Sequence, residues 1–181
     1  QPGQRVVMPD VGAGCQMADM AEIGDVEAAW EALSARWGDS NLIPITYVNS
    51  SASLKAFCGR HGGIVCTSSN AATICRWALE RAEHLLFFPD QNLGTNTALA
   101  MGYGDDDIRV WNPSKAEESA AGLGAATFVV WRGFCYVHHR FSVDHVRAVR
   151  AAYPGIQVVV HPECLPEVVA AQTHAGTAAP F

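Results

Sequence analysis

Short apolar runs rich in β-branched and aromatic residues recur along the chain: RVVMP (5–9), LIPITYV (42–48), GIVCT (63–67), HLLFF (84–88), IRVW (108–111), ATFVVW (126–131) and IQVVV (156–160). Most are continuous rather than alternating, as in strands buried on both faces of a parallel sheet. Segments with helical spacing lie between many of them. GDVEAAWEALSARWG (24–38) opens on an Asp cap candidate and stops at Gly38; SSASLKAFCGRHGG (50–63) starts on Ser and stops on Gly-Gly. SNAATICRWALERAEH (69–84) and SVDHVRAVRAAYPG (142–155) complete the set. Strand alternating with helix predicts an α/β fold with parallel sheets, and the recurrence suggests internally related modules. The Ala/Gly/Ser-rich stretch 112–125 is expected to be a surface loop.

Composition narrows the function classes. Hydrophobic residues make up 49% and charged residues 17%, enough apolar material for a real core. A net charge of −6 and no basic stripe argue against nucleic acid as a partner. No run approaches the ~20 apolar residues that span a bilayer, and QPGQRVVMPD has no secretory n-region or h-region. The Gln1 start and the AGTAAPF end read as an interior piece of a longer protein. None of the six cysteines forms a CxxC pair, and structural disulfides are not expected. Cys58, Cys66 and Cys75 read as small apolar core residues.

The strand ends carry the chemistry. Polar or coordinating groups follow almost every apolar run, where open α/β sheets bind ligands. RGFCYVHHRF places Cys135 three residues before His138. That pairing is open to accidental packing, a metal site, a nucleophile with its base, or one corner of a multi-loop site. Cys15 lies in a Gly-rich turn where backbone can approach a bulky group, before an expected helix start that would favour its thiolate. HPEC adds His161, Glu163 and Cys164; strand alternation would put His161 and Glu163 on one face, and likewise Tyr47 and Asn49. Ser68 and Asn70 sit near a helix N-terminus, a seat for carboxylate or phosphate. His61, His84, His139 and His145 read as surface residues. Trp30, Trp37 and Trp77 read as packing, and Asp105 to Asp107 as a solvated loop. No G-x-G-x-x-G follows a strand, which counts against a Rossmann-type nucleotide binder.

Taken in order, AGCQMADM, ITYVNSSASLKAF, IVCTSSNA, LLFFPDQNLG, FCYVHHRF and HPECLPEV resemble quinolinate synthase, the iron–sulfur enzyme of NAD biosynthesis. The resemblance implies repeated three-layer α/β/α modules with small parallel sheets. They are arranged with pseudo-threefold symmetry in the full family, and incompletely here. Residues 1–21 would end a first module, 22–140 form a complete central one, and 141–181 begin a third. It implies a [4Fe–4S] cluster with an open, Lewis-acid iron, Cys15 and Cys135 being two of the three cysteine ligands. It implies Tyr47, His138 and Glu163 as catalytic residues, and Tyr47, Asn49, Ser68, His161 and Glu163 as substrate contacts. Cys164 is then packing, and Phe134 stands where a polar residue is frequent. The implied substrates are iminoaspartate and dihydroxyacetone phosphate, with an L-aspartate oxidase supplying the former in the cytoplasm. The sequence departs at the family's GST motif, reading GTA with Thr177 in the serine's place, and the third cysteine segment and N-terminal module are absent. A non-catalytic α/β fragment is the rival reading.

Overall fold

A computed structural model of the chain describes residues 3–5, 7–10 and 12–172. Its centre is a five-stranded sheet: β1 (Leu42–Tyr47), β2 (Ile64–Cys66), β3 (His84–Phe88), β4 (Ile108–Trp111) and β5 (Phe128–Trp131). The order is β2-β1-β3-β5-β4, and every pairing is parallel. Parallel neighbours need crossovers, and helices supply them. In chain order these crossovers are α2 (Ala52–Arg60), α3 (Ala71–Leu79), α4 (Gln91–Ala100) and α5 (Ala116–Ala121); α1 (Ile23–Trp37) precedes the first strand, and α6 (Val143–Ala152) and α7 (Pro166–Ala170) follow the last.

Successive side chains of a strand face opposite ways, so a strand buried on both sides must be apolar throughout. In β3, Leu85 and Phe87 join one core with Cys75 of α3 and Leu93 of α4. Leu86 and Phe88 join the other with Leu33 of α1 and Phe57 of α2. All four β3 side chains are fully buried, each contributing roughly 1.5–3 kcal/mol of transfer free energy. The sheet is thus flanked by helices on both faces. A smaller apolar cluster joins Val146, Cys164 and Val168.

Strand order reverses between β1 and β3. The chain leaves β1 toward β2 on one side, and β3 returns on the other side of β1. The connection after β1 runs through α2 on one face and that after β3 through α4 on the opposite face. Their loops therefore diverge at the carboxyl ends of the strands, the place where such sheets bind ligands.

Local signals explain most boundaries. Ser51 caps α2, its Oγ accepting from Leu54 N–H at 3.3 Å. Gly38 ends α1 with φ of 84°, a conformation that costs other residues more. Several expectations fail. Asp25 lies within the first turn of α1, and Glu22 is the N-cap residue. Residues 112–125 contain α5, whose Ala120 packs on the core, rather than a plain loop. The described part of 5–9 and all of 156–160 form no strand, since a β-rich run becomes a strand only where a neighbour completes its ladder. His84 is buried, not on the surface: its Nδ1 lies 2.8 Å from the Ala126 carbonyl and its ring stacks on Trp37 at 3.8 Å. His61 is half-buried against Trp30 and Phe57. The tryptophans pack as expected, Trp30 and Trp37 on one core and Trp77 on the other.

Candidate functional site

The carboxyl ends of β1 and β5 and the turn 161–164 meet at one place. Sγ of Cys135, a ring nitrogen of His138 and a carboxylate oxygen of Glu163 lie within 4.8 Å of one another. Among the described residues this is the one cluster of its kind. His138 Nδ1 is 2.8 Å from Glu163 Oε2, an ion-pair distance, although the ring leaves Nδ1 without a well-directed hydrogen bond. His161 Nδ1 lies 3.3 Å from the same oxygen and accepts the Glu163 backbone N–H at 3.3 Å. That acceptor role places the proton of a neutral His161 on Nε2. The two imidazoles stack, with centroids 4.5 Å apart and planes 14° from parallel.

Glu163 is 3% exposed. Burial pushes its carboxyl above the usual carboxylate range, while the adjacent His138 ring and the Tyr47 hydroxyl pull it back. Its Oε1 has no hydrogen-bond partner among the described residues. A buried carboxylate oxygen left open is costly, so it marks a position where another group belongs. Tyr47 closes the cluster from β1. Burial, with the Glu163 charge adding, pushes its hydroxyl up to about 12, and a hydrogen bond with Ser68 works against that rise. Burial lowers His161, and His138 lowers it further.

The residues expected from sequence sort as follows. Tyr47, His138, His161 and Glu163 converge with Cys135, and Ser68 joins through Tyr47. His161 and Glu163 meet through a tight turn rather than by strand alternation, because no strand is formed there. Asn49 is exposed in the loop beyond β1, which ends at Tyr47, so alternation does not place it beside Tyr47. Asn70 spends its side-chain oxygen on the Thr67 N–H at 2.7 Å. Cys164 is buried packing, as are Cys58, Cys66 and Cys75. His139 and His145 are exposed, His145 closing the first turn of α6 with Ser142. Thr177 lies outside the described residues.

Cys15 is exposed, and its sulfur is not among the gathered atoms. A three-residue 3-10 turn, Ala18–Met20, follows it in place of the expected helix start. That turn ties the Cys15 segment to the Cys135 loop: Met20 O accepts from Trp131 Nε1 at 2.8 Å, and Met20 Sδ accepts from Phe134 N–H at 3.4 Å. Gly133 makes the approach possible, since a Cβ there would collide with the Pro89 carbonyl oxygen and meet Met20 Cβ at 3.3 Å.

The sequence reading missed three buried polar residues around α4. Asp90 is fully buried and caps the helix, Oδ1 accepting from Leu93 N–H at 2.6 Å. Burial pushes its carboxyl up to about 7, against the pull of nearby N–H groups of Leu93, Cys135 and Asn92. Asn92 and Asn96 turn inward and hold the 162–164 backbone. Their i, i+4 spacing on a face shared with apolar residues was the available signal.

The family described as Quinolinate synthetase A protein matches residues 1–180. The quinolinate synthase of Corynebacterium glutamicum is 51% identical over 176 residues, covering 96% of this chain and 45% of that protein. That of Acidobacterium capsulatum is 55% identical over 168 residues, covering 91% and 45%. That of Rhodopirellula baltica is 50% identical over 166 residues, covering 90% and 42%. The chain therefore spans less than half the length of these relatives. The matched stretch takes in every loop that builds the Cys135–His138–Glu163 cluster, and the chain belongs to the quinolinate synthetase A family.

Proposed function

We propose that this chain carries a central share of a quinolinate synthase active site. The reaction condenses iminoaspartate with dihydroxyacetone phosphate, releasing phosphate and two waters, to form quinolinate for NAD biosynthesis in the cytoplasm. An L-aspartate oxidase would supply the imine. Residues 22–140 act as the central module of a three-module protein, with 1–21 and 141–181 belonging to its neighbours. The supporting observation is the convergence of Tyr47, Cys135, His138, His161 and Glu163 from separate loops at the carboxyl ends of the strands.

The donors fit an iron–sulfur cluster in kind. Cys135 offers a half-buried soft thiol beside the Glu163 carboxylate, whose Oε1 has no hydrogen-bond partner among the described residues. Cys15 and Cys135 would hold the cluster with one further ligand, and the bound cluster supplies a Lewis-acid iron. Losing water and enolising a carbonyl both require protons to move at positioned groups. Glu163, poised by burial against two imidazoles, gives and takes those protons. Tyr47 keeps its proton at neutral pH and donates a hydrogen bond to developing oxyanions. His161 stays neutral and donates from Nε2. Ser68 and Asn49 contact substrate carboxylate or phosphate oxygens.

The test uses a chimera in which this segment replaces its counterpart in the Corynebacterium glutamicum enzyme. After anaerobic reconstitution the chimera should show visible charge-transfer absorption and form quinolinate, and Cys135→Ala should lose both. The isolated 181-residue chain should form none. A colourless, inactive chimera that is otherwise folded would support the rival reading of a non-catalytic fragment.

A further inference from the structure

α4 touches both loops of the site. Gln91 N–H, in its first turn, donates to the Gly133 carbonyl at 2.8 Å, two residues before Cys135. One turn later the amide nitrogen of Asn96 donates both its hydrogens, to Pro162 O and Cys164 O, each at 2.8 Å. Asn92 adds a longer bond, 3.3 Å, to the carbonyl of Glu163 itself. Both acceptors of Asn96 are carbonyls, so only the nitrogen can face them and the amide orientation is forced. Asn92 and Asn96 are 4% and 7% exposed, which shields these bonds from water. The turn they hold has no sheet to fix it, because 156–160 forms no strand.

We propose that α4 sets the spacing between the Cys135 loop and the 161–164 turn, with Asn96 as the positioning residue that presents Glu163 and His161 to the reacting groups. For its catalytic consequence this rests on the function proposed above. The clamp itself does not, because it is a property of the folded chain.

Cys164 reports on the clamp directly. Its own carbonyl is one of the acceptors, and the residue is only 2% exposed. Asn96→Leu keeps the branched shape and heavy-atom count of the side chain and removes both donors. In the 181-residue chain, alkylation of Cys164 by iodoacetamide, followed by peptide mass spectrometry, should accelerate about tenfold or more, the factor matching the loss of ~1.4 kcal/mol of hydrogen bonding. Cys66 and Cys75, fully buried in the sheet core, should keep their rates. An unchanged Cys164 rate overturns the proposal. So does acceleration shared equally with Cys66 and Cys75, which would mean general loosening. Should Asn96→Leu not fold, Asn92→Ala must give a smaller change in the same direction, and no change there refutes the clamp. In the chimera, Asn96→Leu should lower kcat about tenfold while KM moves less. Fast labelling with unchanged kcat would refute the positioning role. A wild-type chimera without activity would remove the functional reading and leave the labelling result to decide the clamp.

Discussion

Replacing Gly94 by alanine should destabilise the chain, although alanine is the better helix former. Gly94 lies in α4 where the helix rests on the sheet. A Cβ there would stand 2.7 Å from Val130 Cγ1 and 2.9 Å from Phe87 Cδ1. Both neighbours are fully buried, so neither can yield without pushing on others. Overpacking of this kind costs about 1–3 kcal/mol. The alanine returns about 1 kcal/mol through helix propensity. With two close contacts the cost falls in the upper part of its range, and the net loss is about 1–2 kcal/mol. For a chain of 181 residues that lowers Tm by about 2–8 °C. Gly59→Ala is the comparison. Gly59 is also helical, its added Cβ meets nothing within 4 Å, and it should gain between a few tenths and about 1 kcal/mol. Urea unfolding followed by tryptophan fluorescence measures both, with unchanged m-values showing that only stability moved. Gly94→Ala with a midpoint at or above the wild type would show that α4 does not lie against the sheet as closely as described.

Glu163→Gln keeps the shape of the turn and removes the ionisable carboxyl; in the reconstituted chimera kcat should fall about 10²–10⁴-fold, the usual share of a general acid–base group. Ser51→Ala removes the cap accepting from Leu54 N–H, and chemical denaturation should register a loss of about 0.5–2 kcal/mol. Burial pushes the thiols of Cys58, Cys66 and Cys75 up to about 12. At pH 8 these should resist iodoacetamide while exposed Cys15 reacts. The folded form holds those protons more tightly than the unfolded form, so stability should fall as pH rises from about 9 toward 12, as read by thermal melts across that range.

The parallel sheet was legible because its strands are apolar on both faces, a pattern that short runs such as LIPITY and HLLFF display without help from neighbours. Caps and stops were equally local: Ser51 and Gly38 act on residues within one turn of themselves. Asp90, Asn92 and Asn96 stayed hidden because their importance lies in partners far along the chain, such as the carbonyls of Pro162 and Cys164. RVVMP and IQVVV misled for a related reason, since strand formation depends on a neighbour that no local window contains.

The amino-acid order alone therefore determined the central strands, most of the helices between them and the chemical types of the site: thiol, imidazole, carboxyl and phenol placed at or beyond the ends of the apolar runs. Folding decided which of them meet. Strand order reverses between β1 and β3, and α4 holds a turn that has no ladder of its own, so Tyr47, Cys135, His138, His161 and Glu163 come together while Asn49 stays in solvent. Side-chain identity is a local property. Convergence is a product of long-range packing, and hydrogen bonds between distant segments are where it is written.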